Sequence, residues 1–125
     1  MKVRLKIGAA AAVVLMGAGP AFAHHSFAMF DHDKEVPLQG VVKEFQWTNP
    51  HSWIQLLVTD KAGKQVEYSI EGASVNSLAR QGWTRNAFKA GDKVTVYVNP
   101  LKTGEPGGSF VRAVLPDGSK LPKDK

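Results

Sequence analysis

"QVEYSIEGASVNSLARQGWTRNAFKAGDKVTVYV", residues 65–98, holds the pattern that decides the fold. Val66, Tyr68 and Ile70 alternate with Glu67, Ser69 and Glu71, the period-two pattern of a strand with one face buried and one in water. Ser74 then offers a hydroxyl to cap a helix, "VNSLARQ" fits about two turns, and Gly82 is a good stop. Val75, Leu78 and Ala79 give that helix one apolar stripe, expected to plug the core. After "KAGD" turns the chain, Val94, Val96 and Val98 alternate with Lys93, Thr95 and Tyr97. The stretch therefore reads strand, short helix, strand.

Two strands are expected before it and one after. Leu38 to Trp47 predicts a long strand in which Gly40 hosts a bulge or bend, and Trp53 to Thr59 a second with Ile54, Leu56 and Val58 on one face. "TDKAGKQ" is a hairpin turn, with Gly63 supplying the unusual backbone angles. "PLKTGEPGG" is a loop, followed by a fifth strand from Ser109 to Leu115. Three strands, a helix and two strands, over residues 37–116, match a five-stranded OB-type barrel with the helix closing one end. An open α+β sheet of the same order is the alternative. OB barrels bind ligands over the middle strands and the loop joining the first two, here "TNPHSW".

The beginning of the chain reads as an export signal. Lys2, Arg4 and Lys6 precede an apolar run from Ile7 to Met16, Gly17, Gly19 and Pro20 break it, and Ala21-Phe22-Ala23 supplies small residues for a peptidase. The run is short for a bilayer span, which needs roughly 20 residues. A cut after Ala23 is expected, with one after Ala21 as the alternative. The mature chain then carries an irregular arm over residues 24–36 and a polar tail over 117–125, has no transmembrane span, and is expected in the periplasm. The chain has 16 basic and 11 acidic side chains, for a net +5, but three of the basic ones fall in the first 23 residues. The remainder is close to neutral, which gives no ground for nucleic acid as a partner. There is no cysteine, so thiolate metal sites and cysteine nucleophiles are excluded.

Three of the four histidines crowd into "AFAHHSFAMFDHD", residues 21–33. A cut after Ala23 would give His24 two nitrogen donors, its free amine and its ring Nδ1, which close a chelate ring on a metal. Both deprotonate near neutral pH. A second imidazole would complete a three-nitrogen site of the histidine-brace kind, and nitrogen donors in that arrangement favour Cu(II). His51 is the expected second ring, with His25 or His32 as substitutes and Asp31 and Asp33 as supporting carboxylates. Met29 could donate a thioether to Cu(I), or fill the core. The bland alternative is a solvated arm, with His51 capping a turn. Against it, Phe27, Met29 and Phe30 are apolar enough to pin the arm to the barrel.

Trp47, Trp53 and Trp83 offer a different reading, either stacking on a ligand or packing the barrel. No Gly-x-Ser-x-Gly elbow, phosphate loop or His-Glu-x-x-His pattern occurs, and Glu44, Glu67 and Glu71 are expected to face water, so an enzyme is the less favoured reading. Two functions therefore stand side by side, with a metal-dependent oxidase as a third and weaker option. One is a copper-binding protein for storage, delivery or sensing, and the other is a binding module without metal. The second would dock a peptide, glycan or membrane partner on the loop between the first two strands, and a periplasmic or inner-membrane protein is the candidate protein partner.

The blocks "HHSFAMFD", "GVVKEFQWTNPHSWI", "IEGASVNSLARQGW", "FKAGDKVTVYVNPLKTGEPGG" and "LPDGSKL" together resemble a family of small exported bacterial proteins known only as a domain of unknown function. The resemblance covers almost all of the chain after residue 23. It implies a periplasmic single-domain β protein and carries no activity with it. His24, His25, His51 and Trp53 fall inside its blocks.

Overall fold

The computed structural model describes residues 27–123. Six strands run in chain order: β1 (Val36–Gln46), β2 (Trp53–Thr59), β3 (Gln65–Glu71), β4 (Lys93–Pro100), β5 (Gly107–Val114) and β6 (Lys120–Leu121). One helix, α1 (Val75–Arg80), lies between β3 and β4. Antiparallel pairings join β3 to β2, β2 to β1, β1 to β4 and β4 to β5, and a parallel pairing of β3 with β5 closes the ring. The fold is thus a closed five-stranded OB-like barrel with β6 outside it, and the open-sheet alternative is settled by that last pairing.

Closure depends on how near β5 can come to its neighbours. A side chain at Gly108 would place its Cβ 2.8 Å from both the Asn99 carbonyl oxygen and Val98 Cβ. Only a residue without Cβ lets β5 lie against β4 while pairing with Ile70 of β3. The interior is filled from the alternating faces, with Val42, Leu56, Ile70, Val96 and Val98 all but fully buried. One end is closed by aromatics. Trp83 packs edge-on against Phe110 with ring centres 5.0 Å apart, and Phe45 and Phe88 meet at 5.3 Å.

Several expectations change in detail. The irregularity in β1 falls between Val42 and Glu44 rather than at Gly40, which instead sits too close to the Leu57 carbonyl for any side chain. The helix begins at the expected cap, Ser74 accepting from the Ser77 amide at 3.2 Å, but it buries Leu78 alone and leaves Ala79 in water. The barrel end is plugged by the segment after the helix, through Trp83 and Phe88. At the far end of the chain, the stretch read as a polar tail contains β6, which buries Leu121 against Ala113. No helix of the described residues is long and apolar enough to cross a membrane.

Candidate functional site

The loop between β1 and β2 is fastened to the segment that leaves β3. Its Asn49-Pro50 peptide is cis. Thr48 Oγ1 donates to the His51 carbonyl at 2.8 Å, closing the turn on itself. Asn49 Oδ1 accepts from the Val75 amide at 2.9 Å, and Ser52 donates to the Ala73 carbonyl from both its amide (3.0 Å) and its hydroxyl (2.8 Å). The Gly72 amide returns a bond to the Ser52 carbonyl at 2.8 Å. A Cβ at Gly72 would collide with Ser52 Oγ, so this close approach requires glycine. Ser52 is buried with its hydroxyl satisfied, and residues 48–52 and 71–75 behave as one hydrogen-bonded block.

His51 stands on that block with one ring nitrogen committed. Its Nδ1 lies 3.2 Å from the Gly72 carbonyl and 3.2 Å from Glu71 Oε1. Both partners are acceptors when the carboxylate is ionised, so Nδ1 carries the proton and donates, leaving the lone pair of a neutral ring on Nε2. Glu71 is only 8% exposed, whereas the His51 side chain is 42% exposed. Glu71 was expected to face water. The alternation of β3 breaks at its last two residues, where Ile70 and Glu71 are both buried, because β5 covers the end of the strand through the Glu71–Ser109 pairing. Glu71 is thus the site residue that the pattern of β3 misassigned. The signal available in the sequence was an acid directly before a glycine where a strand ends.

The arm closes over this block. Phe30 is buried and bridges Leu101, the Asp31 amide donates to the Pro100 carbonyl at 2.8 Å, and the Lys102 amide donates to the Met29 carbonyl at 2.9 Å. A cavity of about 310 Å³ results, walled by Phe27 and Phe30 from the arm, by His51 and Glu71 from the block, and by Ser109 and Phe110 from β5. A neighbouring cavity of about 360 Å³ shares Phe30 and Glu71 and adds Met29, Trp53, Leu101 and Glu105.

The remaining candidates separate. His24 and His25, with the whole export-signal reading, lie outside the described residues. Both nitrogens of His32 are occupied: Nε2 is 2.9 Å from the Phe27 carbonyl and Nδ1 is 3.2 Å from Asn99 Oδ1. Asp31 is paired with Lys34 at 3.4 Å and accepts from the Asp33 amide. Trp53 and Trp47 are half-buried, Trp53 in a cavity wall and Trp47 edge-on to Phe45 at 5.8 Å. Trp83 takes the packing role of the two open to it, since it is 5% exposed. Among the described residues, no three histidine, aspartate or glutamate side chains are grouped to hold a metal ion. What the block offers is one imidazole lone pair, steadied from behind by a buried carboxylate, at the wall of a cavity that the arm completes.

A family model described as "Family of unknown function (DUF6152)" matches residues 11–110. No curated protein matches the chain. Among solved structures, it is similar to the mitochondrial single-stranded DNA binding protein Rim1 from S. cerevisiae. That match has 12% identity over 66% of this chain and 93% of the other, with a TM-score of 0.47.

Proposed function

The chain belongs to this family of unknown function, and from the geometry of its loop block we propose that it is an exported copper-binding protein using His24 and His51. One observation carries the reading: Phe27, three residues after His24, lines the same cavity as His51. Three residues of extended chain span at most about 11 Å, a length that would let a mature terminus at His24 reach that imidazole. His51 supports the reading in its own right. A metal-binding histidine typically donates its second nitrogen to a carboxylate or backbone carbonyl, which fixes the tautomer, and Glu71 and Gly72 supply both kinds of acceptor.

The donor set suits copper. The α-amine and Nδ1 of His24 with Nε2 of His51 would hold the ion, and nitrogen donors of this kind favour Cu(II) over other divalent first-row ions. Glu71 sits behind His51 as a hydrogen-bond acceptor and holds the ring in one orientation. Export to the periplasm belongs to the same proposal, because the free amine exists only after cleavage following Ala23. Storage, delivery or sensing would all use such a site, and a periplasmic or inner-membrane protein would be the partner.

Calorimetric titration with Cu(II) tests it on protein beginning at His24 and on the same protein carrying one extra N-terminal alanine. The extension removes the His24 chelate and leaves every imidazole in place. Tight binding to the first and at least roughly tenfold weaker binding to the second is the expected outcome. Equal tight binding by both would defeat the proposal.

A further inference from the structure

His32 is held between two acceptors. Its Nε2 faces the Phe27 carbonyl at 2.9 Å and its Nδ1 faces Asn99 Oδ1 at 3.2 Å. The Asn99 amide cannot be turned round freely, because its Nδ2 donates to the Lys34 carbonyl at 2.7 Å. A neutral imidazole has one N–H and can serve only one of these oxygens, leaving a lone pair opposed to the other. An imidazolium has two N–H groups and serves both. The ring also lies flat on Phe27, with centres 3.9 Å apart and planes 18° from parallel, where a cation is favoured over the aromatic face.

We propose that His32 is a proton-operated latch for the arm. Protonated, it ties the Phe27 carbonyl to Asn99 of β4 and holds the Phe27 ring at the cavity wall opposite His51. Deprotonated, it gives up one of the two bonds, and the segment from Phe27 to Lys34 loosens from the barrel. The titratable groups of the surrounding elements are Asp31, Asp33 and Lys34 on its own turn, Glu35 at the edge of β1 with its partner Arg112 on β5, and His51 and Glu71 on the block. Asp31 is paired with Lys34 and Glu35 with Arg112, while β4 presents the neutral Asn99. If His24 does bind copper, the latch also sets how firmly the arm presents it, and that consequence alone rests on the copper reading.

Two amides report the latch directly, Asp31 N–H bonded to the Pro100 carbonyl and Lys102 N–H bonded to the Met29 carbonyl. Their hydrogen-exchange protection factors are measured in chelator-treated protein at about pH 5.5 and about pH 8. Protection at both amides is expected to fall roughly fivefold from the lower pH to the higher one, while the Leu56 and Val96 amides of the barrel hold steady. In His32→Gln, protection is expected to be low and independent of pH. The latch is overturned if the wild type shows no such difference, or if His32→Gln retains it. Because no metal is present, either result leaves the copper titration to be judged separately.

Discussion

Among single residues, His51 and the acceptors behind it matter most to the proposed copper site. Glu71→Gln keeps the shape of the side chain and can still accept through its amide oxygen, but it removes the negative charge from behind the ring. Copper affinity is expected to drop roughly tenfold with the barrel still folded, a change that titration monitored alongside far-UV circular dichroism would resolve. An unchanged affinity would mean that Glu71 has a purely structural part. Gly72→Ala acts on the same block from another direction, since its Cβ would meet Ser52 Oγ. Displacing that hydroxyl strips the Ala73 carbonyl of one of its two donors, and a loss of about 2 kcal/mol in denaturant unfolding is expected. His51 could be picked out from the sequence as the histidine of the loop that OB barrels use. Glu71 carried only the weak signal of an acid before a glycine, because its burial comes from β5, a strand nearly forty residues further on.

At the scale of elements, the arm and the last hairpin both prove to be structured attachments to the barrel. Phe27, Met29 and Phe30 announced the arm's docking by being too apolar for water, and Phe30 meets that expectation while Phe27 and Met29 remain exposed at 71% and 52%. Phe30→Ala removes the buried anchor, which should cost about 3 kcal/mol of docking. Proteolysis between residues 27 and 34 is expected to accelerate strongly, with the barrel strands still resistant. Comparable cleavage rates in the two proteins would show that the backbone bonds to Pro100 and Lys102 suffice.

The hairpin leading into β6 was hidden by its polar composition. Asp117 accepts from both the amide (2.9 Å) and the hydroxyl (2.6 Å) of Ser119, and these bonds hold its carboxyl below the ordinary aspartate value. A depressed folded value means that the contribution of Asp117 is present above the unfolded value and is lost as pH falls through the folded one. Carbon-detected NMR titration should show the Asp117 midpoint moving up in Ser119→Ala. No movement would place the cause elsewhere.

For the molecule as a whole, closure of the barrel is the feature on which the site depends, since β5 supplies one wall of the cavity and buries Glu71. The order of strands and helix was legible from alternation and from the Ser74 cap. The β3–β5 pairing was not, because a parallel contact between distant strands leaves no local pattern. Gly107 and Gly108 look like loop residues in "GEPGG" and turn out to be the start of β5. Gly108→Ala forces its Cβ against β4, and about 2 kcal/mol of destabilisation should lower the thermal midpoint by roughly 10 °C. A midpoint within a degree or two of wild type would mean that β4 and β5 adjust freely.

The proposed copper site requires the arm to deliver a donor to the ring of His51. Electron paramagnetic resonance of the one-to-one Cu(II) complex, made on protein that begins at His24, reads the nitrogen ligands themselves. Nitrogen coupling is expected to diminish on His51→Ala, as one imidazole leaves the copper. A spectrum indifferent to that substitution would contradict it, because His51 would then take no part in holding the ion.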